Sequence, residues 1–290
     1  MNTRKSECVV FILTHGRPDN VVTWKTLQKS GYTGPCYLVI DNEDKHAAKY
    51  FERWGGDKVL QFDKKQMAAQ VDEGNNFNER RTITHARNAC FDLARQLGYT
   101  YFLELDDDYT SFEFRHIDKS ENKLLVTKAK NFDAVVDAYL KFLKETPFHS
   151  VAFAQGGDFI GGAGNPYAKT RPLMRKCMNS FMCSTERPFQ FVGAMNEDVN
   201  TYTTLGSRGV LFGTLPFVAL VQKRTQSQEG GITGMYLKFG TYCKGFTTVM
   251  MMPSCVRVAV MNTNNPRLHH KIHWIATVPK ILDERWRKAA

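Results

Sequence analysis

Tyr101-Phe-Leu-Glu-Leu-Asp106-Asp107-Asp108-Tyr109 runs five strand-forming residues straight into three consecutive carboxylates. A strand of this composition is built for burial, whereas adjacent ionised acids repel one another and resist being taken out of water. Two physical solutions exist. A solvated Asp-rich turn leaves the acids in water; alternatively, a divalent cation such as Mg2+ or Mn2+, held by oxygen ligands and able to bridge phosphates, neutralises them. The apolar strand feeding the acids favours the second, because open α/β sheets bind ligands outside the carboxyl ends of their strands. The three carboxylates, Asp106 to Asp108, are therefore an expected metal site.

Working toward the N-terminus, Thr82 or Thr84 to Leu97 predicts a helix, with Ile83, Ala86, Cys90, Leu93, Ala94 and Leu97 at helical spacing. Arg87 and Asn88 lie off that stripe near its first turn, where a guanidinium and free N–H groups suit a diphosphate. Further back, Cys8 to Leu13 (CVVFIL) reads as a fully buried strand broken by Thr14-His15-Gly16-Arg17-Pro18. A helix capped by Asp19 or Asn20 and ended by Gly31 follows, then the strand Tyr37 to Ile40, which stops at Asp41-Asn42-Glu43-Asp44. That is a βαβ unit, and Asp41 stands where nucleotide-binding α/β folds contact a ribose or base. A second helix, Ala47 to Trp54, and a strand, Lys58 to Phe62, precede a polar loop at Asp72 to Asn78. Neither a P-loop nor a G-x-G-x-x-G fingerprint is present.

Toward the C-terminus, Phe112 to Thr127 reads as a polar hairpin and Asn131 to Lys144 as an amphipathic packing helix. A strand at Ser150 to Ala154 leads to a glycine-rich loop, Gly156 to Gly164, followed by Lys169, Arg171, Arg175, Lys176 and Arg187, a phosphate-binding surface by position. Phe189 to Met195 predicts a strand that opens at Asn196-Glu197-Asp198 into a helix ending at Gly206. Acids behind an Asn cap also serve the helix dipole without chemistry. Val210 to Val221 is strand-like, Thr225 to Gly234 loop, and Thr247 to Met252 and Val256 to Val260 read as two more strands.

The net charge of +10 is unevenly placed: residues 1 to 110 carry 15 Lys and Arg against 16 Asp and Glu, residues 111 to 290 carry 24 against 13. A second half netting +11 faces a polyanion, for which nucleic acid is the commonest large source, or is a basic solvated surface. Seven scattered cysteines without a C-x-x-C pair fit a reducing cytoplasm and no zinc site. No signal peptide and no 18-residue apolar run are expected.

The order THGRP, a strand ending in an acid, HARNACFDLARQLGYTYFLELDDD, Asn196-Glu197-Asp198 and LHHKIHW (268–274) resembles the TET-associated glycosyltransferases from Val9 to about Trp286. The resemblance implies one GT-A type α/β domain, with a Rossmann-like nucleotide-sugar half (1–110), a basic acceptor half (111–290) and a mixed central sheet. It implies transfer of a sugar from a nucleotide donor, expected to be UDP-linked, to the hydroxyl of a 5-hydroxymethylpyrimidine in DNA, 5-hydroxymethylcytosine foremost, as in phage DNA hypermodification in a host cytoplasm. Thr14, His15, Arg17, Asp41, Arg87, Asn88, Asp106 and Asp107 would hold the donor. Asp106 and Asp108 would hold Mn2+ or Mg2+, joined by His270 or His273. Asp198, with Glu197 second, resembles the catalytic base of inverting members. Lys169, Arg171, Arg175, Lys176 and Arg187 would track double-stranded DNA.

Two other readings keep part of this. A glycosyltransferase acting on protein or glycan keeps the donor chemistry and reinterprets only the charge; a metal-dependent nuclease or phosphatase keeps the acids but leaves the first 100 residues without a task. A plain DNA-binding module is disfavoured, since three clustered acids repel phosphate unless a metal intervenes.

Overall fold

The computed structural model describes residues 7–74, 80–118, 120–164, 173–222, 233–261, 266–280 and 286. Eleven strands are described: β1 Cys8–Leu13, β2 Cys36–Asp41, β3 Val59–Phe62, β4 Tyr101–Asp106, β5 Tyr109–Asp118, β6 Lys123–Lys128, β7 Phe148–Ala154, β8 Phe181–Ser184, β9 Leu211–Gln222, β10 Val256–Met261 and β11 Arg267–Ile272. The helices are α1 Val22–Lys29, α2 Ala47–Trp54, α3 Lys64–Ala68, α4 Thr84–Gln96, α5 Phe132–Glu145, α6 Glu197–Gly206, α7 Thr233–Met251 and α8 Trp274–Thr277.

Nine strands form one sheet in the order β3-β2-β1-β4-β8-β7-β9-β5-β6. The first four run parallel, β8 is antiparallel to both β4 and β7, and β9 is parallel to β7. This is the expected α/β architecture, a Rossmann-like half continuing into a mixed sheet. All six residues of β1 are buried because both faces of the strand are covered. Val10 and Ile12 join Leu27, Tyr109 and Phe132 on one side; Val9, Phe11 and Leu13 join Ala89, Cys90 and Leu93 of α4 on the other. A separate antiparallel pair, β10 and β11, packs on α7. No described helix is long and apolar enough to cross a membrane.

Four local expectations are corrected. Helix α1 begins at Val22, and neither Asp19 nor Asn20 caps it; Asp19 instead pairs with Arg53 at 2.8 Å. Asn196 precedes α6 but makes no side-chain cap, because its amide donates to Lys244 O and Thr248 Oγ1. Residues 189–196 are irregular rather than strand; Phe189 and Phe191 fill an aromatic cluster with Phe91, Phe181 and Phe212. Thr247 to Met251 is helical, although its β-branched and Met-rich run favours strand. Thr247 Oγ1 donates back to Cys243 O at 2.8 Å, and the helix packs on the β10–β11 pair. Of the loop expected at Thr225 to Gly234, residues 225–232 lie outside the described residues, as do 75–78 of the earlier polar loop.

Gly31 ends α1 as expected, at φ +79°, and a Cβ there would lie 2.5 Å from the carbonyl oxygen of Lys130. The same junction is tied by the Phe132 N–H donating to Ser30 O (2.8 Å) and by Thr33 donating twice to the Asp133 carboxylate. Gly31→Ala combines left-handed strain with a backbone clash and should destabilise by about 1–3 kcal/mol. Urea unfolding should show a lowered midpoint with an unchanged slope; an unchanged midpoint would contradict the close approach.

Candidate active site at the carboxyl edge of the parallel strands

Pairing of β1 with β4 sets Leu13 opposite Asp106, so the Thr14 to Pro18 loop and the three acids leave the sheet side by side. Asp107 welds them together. Its Oδ2 accepts from Thr14 Oγ1 (2.7 Å) and its Oδ1 from Arg17 Nη1 (3.0 Å), and the side chain is nearly buried. Thr14 also meets the Tyr50 hydroxyl at 2.9 Å, which accepts from the Arg17 N–H. Thr23, buried on α1, donates from Oγ1 to Asp106 O (2.5 Å) and from its N–H to Asp107 O (3.1 Å), then accepts from the Tyr109 N–H. The turn of acids is therefore held from its backbone, and its middle side chain is already occupied. Asp107, expected beside the donor, is a clamp between two loops.

Beneath this turn lies Arg87, 1% exposed, the largest fully buried side chain described. Its Nε donates to Glu197 Oε1 (3.1 Å), Nη2 to Asp106 Oδ1 (3.1 Å) and Nη1 to Glu104 Oε2 (3.5 Å), with the Phe181 ring 4.9 Å from its carbon. Expected at a diphosphate, Arg87 instead joins α4, β4 and α6 from inside. Its neighbour Asn88 likewise bonds the Phe191 backbone twice, at 2.9 and 2.8 Å, and does not face the crevice as a free amide. One guanidinium does not balance so many acids. Burial pushes the Glu104 carboxyl up to about 8 and Asp106 up to about 7 despite Arg87, with Asp108, Glu197 and Asp107 adding repulsion at Asp106.

That surplus is the test of a metal. Asp106 keeps 23% of its side chain exposed and Asp108 is half-buried, so hard oxygen donors reach the crevice where negative charge exceeds positive charge. Among the described residues no three His, Cys, Asp or Glu side chains converge to hold an ion by themselves. The two acids suit a cation that takes its remaining ligands from phosphate and water, as Mg2+ commonly does.

Glu197 and Asp198 part company at the start of α6. Glu197, 7% exposed, is committed to Arg87. Asp198 is half-buried, accepts the Val199 N–H at 2.7 Å, and is pushed up to about 6 by burial and by Glu197, opposed by that N–H, Arg87 and Lys176. The loop before it is held by Asn200, fully buried, donating to Val192 O and Met195 O.

At the end of β2, Asp41 is 5% exposed and fully engaged: Oδ2 meets His15 Nδ1 (2.7 Å) and Lys64 Nζ (3.3 Å), and Oδ1 accepts the Glu43 N–H. Asp44 accepts from the Gly16 and His46 N–H groups. Reasoning from sequence missed Lys64, Asp44, Tyr50, Thr23 and Glu104. Of these, only Glu104, an acid inside an otherwise apolar strand, carried a signal.

The C-terminal and basic residues fall elsewhere. His270 is 5% exposed on β11 with both ring nitrogens unpartnered; burial holds it down at about 3, helped by His269, Lys176 and Lys244. A cationic neighbourhood of this kind does not complete the expected metal site. His273 is exposed and its backbone N–H bonds Cys255 O. Arg175 is buried against Asp158 (3.1 Å), and Arg187 donates to Thr146 O and Leu143 O, so neither guanidinium forms the expected DNA surface. Clustering in sequence says nothing of direction. Lys176 is half-buried, lowered by burial, and feels Asp198. Lys169 and Arg171 lie outside the described residues.

Arg87→Met keeps the volume and removes the one charge that, among the described residues, touches Glu104, Asp106 and Glu197 together. Breaking a buried ion network from one side costs about 3–5 kcal/mol, so thermal unfolding should show a markedly lower Tm; a variant as stable as the parent would contradict the central place of Arg87.

Residues 8–231 match the family model described as TET-Associated Glycosyltransferase. No curated protein matches the chain. Among solved structures it is similar to glucosyl-3-phosphoglycerate synthase from Mycobacterium tuberculosis, determined with Mg2+ and uridine diphosphate, at 9% identity over 92% of this chain and 88% of that one, TM-score 0.47. It is also similar to residues 1–349 of S. aureus TarS, at 14% identity over 73% of this chain and 60% of that one, TM-score 0.41. With three quarters of its length matched by the family model, the chain belongs to the TET-associated glycosyltransferases.

Proposed function

We propose that the protein transfers a sugar from a UDP-linked donor to the hydroxyl of a 5-hydroxymethylpyrimidine in DNA, 5-hydroxymethylcytosine foremost. The observation that carries the chemistry is Asp198: a half-buried carboxylate, raised to about 6, adjoining Glu197, which Arg87 ties to Asp106. Such a group is ionised at neutral pH and more basic than a solvated carboxylate, which suits a general base. Asp198 takes the proton of the acceptor hydroxyl as its oxygen attacks the anomeric carbon; the bond from that carbon to the diphosphate oxygen breaks, and the nucleoside diphosphate leaves. Glu197 holds Arg87, and so positions α6, rather than sharing that proton.

Asp106 and Asp108 would hold Mn2+ or Mg2+, whose chemistry when bound is to offset charge on the leaving diphosphate. The Thr14 to Arg17 loop and the end of β2 would carry the nucleoside. The DNA acceptor is supported by the family and by the basic second half, +11 over residues 111 to 290, in which Lys176 is half-buried and feels Asp198. Arg175 and Arg187 are left out of it.

The test is mass spectrometry of nucleosides from hydroxymethylated and unmodified duplexes after incubation with UDP-sugars and Mn2+. A hexose-sized gain on hydroxymethylated DNA alone is expected. Asp198→Asn should lower turnover by about a hundredfold or more, and wild-type turnover should fall as pH drops through about 6, where the base becomes protonated. A DNA product formed equally well by Asp198→Asn would remove the base assignment; transfer to protein or glycan with none to DNA would remove the acceptor.

A further inference from the structure

The end of β2 holds a histidine in one orientation. His15 Nδ1 lies 2.7 Å from Asp41 Oδ2 and 3.6 Å from Asp44 Oδ2. Both carboxylates are nearly buried and fully engaged, Asp41 by Lys64 and the Glu43 N–H, Asp44 by the Gly16 and His46 N–H groups. Burial raises Asp41, but His15 and Lys64 more than offset this and leave it below the usual carboxylate range. An ionised carboxylate only accepts, so Nδ1 must carry the hydrogen. In the neutral ring Nε2 is then a lone-pair acceptor, and it has no partner among the described residues on a side chain 49% exposed. Lys64 Nζ, 3.3 Å from the same Asp41 oxygen, helps hold that carboxylate in place.

Position decides what this acceptor meets. The crevice has two ends. The β4 end carries the acids that suit a cation and hence a diphosphate, while at the β2 end Asp41 is paired with Lys64 and Glu43 with Arg80. In doubly wound sheets the nucleoside lies toward the second strand. Resting on the nucleotide-sugar reading above, we propose that His15 selects the donor base. Its Nε2 accepts the N3–H of a uracil-type ring, and a pyrimidine whose N3 has no hydrogen sets lone pair against lone pair and is rejected. Asp41 sets the tautomer and Lys64 fixes Asp41, which gives these two buried groups a task beyond tying loops.

Calorimetric titration at pH 8 with Mn2+ present compares UDP, its N3-methylated analogue, CDP and 2′-deoxy-UDP on the wild type and His15→Ala. Leaving a polar group unpaired makes UDP about tenfold or more tighter than CDP and the N3-methyl analogue. In His15→Ala those three should converge to within about threefold. Equal wild-type affinities for UDP and CDP, or a preference that survives in His15→Ala, would overturn the assignment while leaving the donor reading intact. A preference of UDP over 2′-deoxy-UDP that vanishes in His15→Ala would put the ring on the ribose and also overturn it. Absence of binding by any of the four would instead remove the nucleotide-sugar reading, and this inference with it.

Discussion

A single buried guanidinium set among carboxylates is the constraint on which the site depends. Arg87 reaches Glu104 on β4, Asp106 at that strand's end and Glu197 at the start of α6, so the neighbouring α4 and β4 share one charge with α6, 110 residues further on. Buried ion networks are seldom the cheapest way to stabilise a core, and well-packed apolar side chains often do better. What this one achieves is placement: Asp106 and Glu197 are fixed against each other through fully buried donors, with the half-buried Asp198 next along the chain. Glu104 and Asp106 are raised to about 8 and about 7, the sign of more carboxylates than one guanidinium balances.

Around it the crevice divides by charge. Asp107 locks the Thr14 to Arg17 loop to the acids and Thr23 holds their backbone, leaving Asp106 and Asp108 as the groups that present oxygen. On the far side of β1, the His15, Asp41 and Lys64 cluster is balanced internally and exposes only one ring edge. A nucleoside diphosphate laid across β1 would therefore meet a neutral, hydrogen-bonding end and a cation-demanding end, which matches its own polarity.

Much of this was legible in the sequence, and the rest fails for identifiable reasons. The βαβ unit, the strand into Asp106 and the helix from Thr84 could be read because burial on two faces and helical spacing leave local patterns. The roles of Arg87, Asn88 and Asp107 could not, because residue type and position on a helix do not reveal a partner 19, 103 or 90 residues away. Arg175 and Arg187 looked like a phosphate surface from spacing alone, yet they satisfy Asp158 and the carbonyls of Leu143 and Thr146 inside the fold. Thr247 to Met251 reads as strand from its β-branched and Met-rich composition, and tertiary packing of α7 on the β10–β11 pair overrides it.

Asp106 and Asp108 at the end of β4 suit a cation shared with a donor's diphosphate. The most direct measurement is UDP affinity as a function of Mn2+, on the wild type and on Asp106→Asn and Asp108→Asn. The account predicts that UDP binding strengthens by at least about tenfold as Mn2+ is raised, that Mn2+ binding strengthens equally when UDP is present, and that either substitution abolishes the coupling. UDP affinity that is the same in EDTA and in Mn2+ would contradict it.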